Sequence, residues 1–416
     1  MQVVYSRCCG LDVHKASVTA CVLTFDDKGK RTVRKKEFRT FDQQLGGLML
    51  WLMACKVTHV AMESTGVYWK PVWQKLEGKF ELILTNPQHM KAIPGRKTDQ
   101  QDAERIAELL AHGLLRASFV PSPEIRQLRE LTRLRVHYVG EYNRVHNRIH
   151  KVLEDAGIKL SSVISDIAGA SGRAILRAIV KGERSPAWLA YQAKSTLRTE
   201  ARQQELRLAL RGHIGEQHRF LLRLLLEDLE HVESTVARLE EEIALRLAPH
   251  EAVIGRLCTI PGVDRVTAWT LVAELGLDMT VFETAAHAAS WAGLCPGNRE
   301  SAGKRMSNRT RKGNRWLRRG LCQSAWAVTH KRDCYLTAFF YRRAGRQGVR
   351  KAIVSTAHQI LVVAYCVLRD GVAYRERGGA FFDLRHPERT RRRLQARLER
   401  LDEAQRRALG EEGQVT

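Results

Sequence analysis

The chain has 416 residues, with 69 Lys and Arg against 45 Asp and Glu, giving a formal net charge of +24. That length suits two or three domains, and 44% hydrophobic with 27% charged residues excludes a disordered tail or a collagen-like chain. No run of about eighteen apolar residues offers a membrane span and Met1 to Tyr5 lacks a signal-peptide pattern, so a cytoplasmic, nucleoid-associated protein with a polyanion partner is expected.

In chain order, Cys8 to Val13, Val18 to Leu23 and Arg31 to Phe38 read as three strands of a meander. A helix over Phe41 to Cys55 follows, then the apolar strand Thr58 to Met62 ending at Glu63. Val67 to Leu76 reads as a helix, Phe80 to Leu84 as a strand and Asp99 to His112 as a helix. Three hairpin-like strands followed by alternating helices and strands give the order of an α/β RNase H-like (RuvC-like) domain over residues 1–125.

Residues 126–250 read as a basic helix, a connector and a coiled coil. The basic helix, Ile125 to Leu153, holds Arg126, Arg129, Arg133, Arg144 and Arg148 with only two acids. Ser161 to Pro186, with several Gly and Ser, reads as a looser connector. Leu222, Leu225, Leu229, Val232, Val236, Leu239 and Ile243 then step alternately by three and four, so that helix requires a partner helix, in another chain or its own. Residues 251–375 read as a mainly α C-terminal domain. It starts with a helix, a Pro261-Gly262 turn and a second helix, an arrangement resembling a helix-hairpin-helix. A basic loop, Arg299 to Gly313, and three more helices complete it. Residues 376–416 form an Arg-rich tail, expected as a surface helix or arm. The nine cysteines have no zinc spacing and read as small buried apolar residues in a reducing compartment.

Four carboxylates stand at element ends. Asp12 breaks an apolar strand in Gly10-Leu11-Asp12-Val13-His14-Lys15, and Glu63 ends another in Glu63-Ser64-Thr65-Gly66. Asp99 and Asp102 sit three apart, on one face of a first helical turn. Taken singly, Asp99 fits a helix N-cap and Glu63 an ordinary strand end. Together they repel one another unless a cation lies between, and Mg²⁺ or Mn²⁺ suits such an oxygen set.

These motifs resemble the DEDD motifs of a group of insertion-sequence transposases, insertion-sequence family one hundred and ten, which includes the Piv-like DNA invertases. Downstream, Ile260-Pro261-Gly262, Ala273-Glu274-Leu275-Gly276, Trp291-Ala292-Gly293-Leu294-Cys295-Pro296 and Lys312-Gly313-Asn314 are similar to the second domain of the same family. The resemblance covers roughly residues 5 to 345. Between Arg299 and Arg319 lie nine Lys and Arg and one acid. On residue type alone Ser301 and Ser307 are comparable, and a solvated basic loop explains both. The family's nucleophilic serine, which follows its Gly-Leu-x-Pro motif, maps onto Ser301, although Ala302 stands where relatives often have glycine or serine.

The resemblance implies a recombinase that cuts and rejoins DNA through a phosphoserine bond, assisted by a metal site of Asp12, Glu63, Asp99 and Asp102. It also implies a homodimer or homotetramer acting on donor and target DNA, and in some members a structured guide (bridge) RNA. Lys15, Arg126, Arg129, Arg133, Arg144, Arg148, Lys304, Arg305, Arg309, Arg311, Lys312 and Arg315 are the candidate nucleic-acid contacts. Two rivals stay open on the residues: a metal-only RNase H-like nuclease or Holliday-junction resolvase, and a non-catalytic nucleic-acid-binding regulator.

Overall fold

A continuous apolar run on a central strand is buried on both faces when helices cover them, and Arg7–Val13 (β1) is such a strand. The computed structural model describes residues 2–64, 66–86, 102–193, 198–297, 299–301, 304–307 and 309–412; of 299–301, 304–307 and 407–412 only the backbone is described. The chain forms two compact units, Met1–Pro121 and Ser122–Thr416. The first is a mixed α/β sheet domain, and helices dominate the second.

In the first unit Ser17–Phe25 (β2) and Arg31–Arg39 (β3) extend β1 as an antiparallel meander, while His59–Glu63 (β4) runs parallel to β1 and Glu81–Thr85 (β5) parallel to β4. The resulting order is β3-β2-β1-β4-β5. Cys9, Leu11, Val13, Val60 and Met62 enter one core, with Leu48 and Leu52 of Asp42–Ala54 (α1) and Trp73 and Leu76 of Trp69–Leu76 (α2). Cys8, Cys21, Leu23 and Ala61 face the other way, onto Ile106 and Leu110 of Asp102–Ala111 (α3). The edge strand β3 is almost wholly exposed and strongly basic, a composition that discourages edge-to-edge pairing.

The second unit is built on two long helices, Pro123–Asp155 (α4) and Glu216–Leu247 (α9). Gln127 bonds Arg246, Arg135 bonds Glu240 and Asp155 meets His218, so the pair is antiparallel. The partner that the three-and-four spacing requires is therefore present within the chain. Leu222, Leu229, Val232 and Ile243 are buried, but Leu226 and Leu247 are buried too, while Leu225, Val236 and Leu239 are only half-buried. The expected loose connector instead holds two packed helices, Leu160–Val163 (α5) and Ala170–Val180 (α6), and Pro186–Tyr191 (α7) and Glu200–Ala209 (α8) follow it. Ile167, Ile175, Leu176, Ile179 and Leu206 form one core there with Ile149, Leu153, Leu222 and Leu229.

Glu251–Cys258 (α10) and Arg265–Leu275 (α11) flank the Pro-Gly turn as expected, with Asp264 capping α11 through a 2.8 Å bond from the Thr267 amide. Gly262 has φ +83°, and a Cβ there would lie 2.5 Å from the Ser324 carbonyl, so the turn demands glycine. Ala285–Trp291 (α12) follows. The expected basic loop holds a short hairpin of Arg299–Ser301 (β6) and Lys304–Ser307 (β7). Arg315–Val328 (α13), Tyr335–Gln347 (α14) and Val349–Asp370 (α15) complete the core. By length and composition α15 would cross a bilayer, yet Ile353, Ile360, Leu361 and Tyr365 on it are buried in protein, which makes it a core helix. Phe381–Leu384 (α16) and the exposed Arg-rich Pro387–Glu412 (α17) end the chain's described elements. All nine cysteines are free; Cys8, Cys9, Cys21, Cys55 and Cys334 are buried, whereas Cys258 is exposed, contrary to the uniform burial expected.

Candidate functional site

The parallel ladder between β1 and β4 ends with Leu11 opposite Met62, and Asp12 and Glu63 each come one residue later. Side chains two apart on a strand share a face. Asp12 therefore lies on the side of Cys8 and Gly10, and Glu63 on the side of Ala61, which is the α3 side for both. Both acids are half-buried. Asp12 Oδ2 lies 3.1 Å from Nε2 of exposed His14, a neighbour that the sequence pattern had not assigned to the site.

Gly10 positions the third acid. A Cβ at residue 10 would fall on the Ala103 carbonyl and the Ala107 amide, and 2.9 Å from Ile106 Cβ, so α3 lies directly on β1 only because residue 10 has no side chain. The Cys8 thiol reaches the Ala107 carbonyl at 3.5 Å while Gly10 meets Ala103. Thus α3 runs opposite to β1 and directs its first residue, half-buried Asp102, toward the Asp12 end of the strand. Asp99 lies outside the described residues. Among the described residues no three His, Cys, Asp or Glu side chains gather closely enough to hold a metal ion.

In the second unit Ser301 pairs with Lys304 and Arg299 with Ser307 across the β6–β7 hairpin. Its base is held by the Gly297 amide bonded to the Arg309 carbonyl at 2.9 Å and by the Pro296–Thr310 bridge. Below it Gly293 and Gly313 touch backbone to backbone; a Cβ on Gly293 would lie 2.9 Å from the Arg311 carbonyl.

Next to that base sits a buried ionic cluster that the sequence pattern did not reveal. Glu274 is 0% exposed. Its carboxylate accepts from Arg133 at 2.7 and 2.8 Å and from Asn314 Nδ2 at 2.6 Å, and Arg129 Nε lies 3.2 Å away. Arg129 also donates to the Ala273 and Glu274 carbonyls at 3.0 and 2.7 Å. Burial pushes the Arg129 guanidinium down to about 10, so it stays charged at neutral pH. Asn314 Oδ1 meanwhile caps α13, accepting from the Trp316 and Leu317 amides. Three separate motif segments, around Glu274, Trp291 and Asn314, meet here.

Of the candidate nucleic-acid contacts, Arg129 and Arg133 thus each direct Nε and Nη2 into the protein. Lys15, Arg148, Arg309, Arg311, Lys312 and Arg315 are exposed. Arg144 is exposed but bonded to Glu141, and Arg126 is half-buried. Lys304 and Arg305 lie on β7, with only their backbone described.

Comparison with known proteins gives two family matches. Residues 9–158 match the transposase model of the DEDD IS110 group, and residues 255–342 match the Transposase IS116/IS110/IS902 family. A Pseudomonas aeruginosa protein named "Probable family 20 transposase" is 27% identical over 323 residues, 76% of this chain and 83% of that protein. A Streptomyces coelicolor protein named "Insertion element IS110 uncharacterized 43.6 kDa protein" is 36% identical over 129 residues, 31% of this chain and 32% of that one.

Proposed function

The chain belongs to the IS110 family of DNA transposases, and from that premise we propose that it cuts and rejoins DNA through a phosphoserine intermediate on Ser301, assisted by a divalent-metal DEDD carboxylate site. One observation carries the reading. Asp12 and Glu63 end adjacent parallel strands on the same sheet face, and the helix begun by Asp102 is laid on that face by Gly10. The strand order β3-β2-β1-β4-β5 supports an RNase H-like fold for the first unit.

The four candidate donors, Asp12, Glu63, Asp99 and Asp102, are all carboxylates, the donor set that hard divalent cations take. Bound there, Mg²⁺ or Mn²⁺ would polarise the scissile phosphate and neutralise the charge that develops on it. The chain's own residues do the rest. His14 restrains the Asp12 carboxylate through its 3.1 Å contact. The Ser301 hydroxyl gives up its proton, and its Oγ bonds to phosphorus as the bond to the leaving deoxyribose oxygen breaks; that oxygen takes a proton. One phosphoester replaces another, so rejoining by the reverse step needs no external energy source. Exposed Arg309, Arg311, Lys312 and Arg315 offer the strand backbone its counter-charge. Pairing of a guide RNA with donor and target DNA, and assembly as a homodimer or homotetramer, complete the reading by family analogy.

The test is covalent trapping on a suicide substrate, a nicked duplex spanning the element end. The wild type and Ser307→Ala should form a protein–DNA adduct, and Ser301→Ala should form none. Intact cleavage by Ser301→Ala with no adduct from the wild type would replace this mechanism with a metal-only nuclease.

A further inference from the structure

A cleft of about 850 Å³ opens beside the base of the serine hairpin. One wall is Leu294, Pro296 and Thr310, the last two being the residues of the bridge that closes the hairpin. The other wall is the end of α14 and the first turns of α15, which bring Arg343, Arg350, Lys351 and His358 to the same space. No carboxylate lines it among the described residues. Arg343, Arg350 and Lys351 are exposed and form no ion pair among the described residues, unlike neighbouring Arg342, which faces Asp383. Arg343 is steered by the Phe339 ring, 5.3 Å away, and Gln347 bonds Ser355 at 3.0 Å across the bend between the two helices. Burial lowers the proton affinity of His358, which leaves a neutral imidazole able to donate or accept one hydrogen bond.

We propose that this cleft holds the backbone of the DNA strand on which Ser301 acts, with Arg343, Arg350 and Lys351 each taking a phosphate. Three cations with no ion pair, around a cleft that no carboxylate lines among the described residues, fit a polyanion rather than a small neutral ligand. Its position selects DNA. Ser301 is five residues beyond Pro296, at most about 16 Å along an extended strand. At 3.4 Å per nucleotide of axis, the Pro296 wall is at most about five nucleotides from the attacked phosphate. The assignment of DNA rests on the proposed serine mechanism; the charge and shape of the cleft do not.

The experiment uses the full-length protein and a fluorescein-labelled duplex covering the end of the insertion element, with an RNA duplex of matching sequence as comparison. Dissociation constants are measured from 50 to 300 mM salt for the wild type and for R343Q/R350Q/K351Q. Loss of three phosphate contacts should make the plot of log K against log[salt] shallower by about 2.7 and weaken binding about 500-fold at 0.1 M salt. The charge-retaining R343K/R350K/K351R should keep the wild-type slope. Should the triple glutamine variant fail to fold, R350Q and K351Q singly should each lower the slope by about 0.9. An unchanged slope on DNA, or a change confined to RNA, overturns the proposal. Trapping is scored separately on the wild type. A lost slope without any wild-type adduct would keep the cleft as a DNA site while removing the serine mechanism.

Discussion

Replacing Glu274 with Gln keeps the shape of the side chain and removes its charge from a fully enclosed site. Two guanidinium groups lose their counter-ion. Arg133, with 36% of its side chain exposed, recovers water, but Arg129, at 13%, does not. Arg129 retains its two carbonyl acceptors, which places the loss at the low end of the range for breaking a buried ion pair, about 3 kcal/mol. The amide also cannot serve all the donors around it, two Arg133 nitrogens and Asn314 Nδ2. Asn314 Oδ1 is committed to the cap of α13 at 3.0 and 3.1 Å, so its NH₂ must keep facing residue 274. A glutamine has one oxygen for three donors, and one donor is left facing another NH₂. Urea unfolding should show a midpoint lowered by about 1 M at unchanged m, taking m near 3 kcal/mol/M. A double-mutant cycle with Arg133→Gln should give a coupling of about 1 to 2 kcal/mol. A loss below about 1 kcal/mol, with no coupling, would show that the cluster is solvated and refute the argument.

Gly10→Ala drives a methyl group into the backbone of α3, so it should cost at least about 1 to 3 kcal/mol and displace Asp102 from the strand ends. Circular-dichroism melting reads the first effect. Transposition lost out of proportion to the melting change reads the second, and full activity would show that the α3 contact does not position the site. In the same unit a hydrogen bond from Lys35 holds the Glu104 carboxyl below its ordinary 4.5, and the same bond raises Lys35 above 10.5. A depressed acid stabilises the fold above its unfolded value and loses that contribution as pH falls through the folded one. The raised Lys35 contributes fully below 10.5 and loses it as pH rises further. Glu104→Gln should therefore lie below the wild type by under about 1 kcal/mol at pH 7, the gap shrinking in high salt and closing as pH falls through the lowered folded value. A gap that persists in acid would assign the effect to packing.

The strands and most helices were legible because the sheet's apolar runs and the helix caps are local signals. The positions of Asp12 and Glu63 near strand ends were legible for the same reason: each is an acid closing an apolar run. Ser161 to Pro186 misled because glycine has two uses. Gly172 reads as looseness in sequence, yet a Cβ there would collide with the Ile167 backbone, so it marks close packing instead. Arg129 and Arg133 read as nucleic-acid contacts on a basic helix because their counter-ion is more than 140 residues away. Periodicity cannot identify a partner at that separation. The β6–β7 hairpin was hidden by its composition, since Arg, Lys and Ser are weak strand signals.

The 33-residue α4, about 50 Å long, has a consequence for how such proteins exchange parts. Residues 9–158 match one family model as a block, so α4 travels in sequence with the sheet domain. In folding it belongs instead to the second unit: Val145, Ile149 and Leu153 are buried among helices beyond residue 158. A gene chimera joined at 158 would graft half of a hydrophobic interface onto a stranger's other half. One joined between Pro121 and Ser122 would leave each core with its own residues. Recombination among relatives should therefore be tolerated at the start of α4 and selected against at its end, so the boundary of shared ancestry and the boundary of folding lie a whole helix apart.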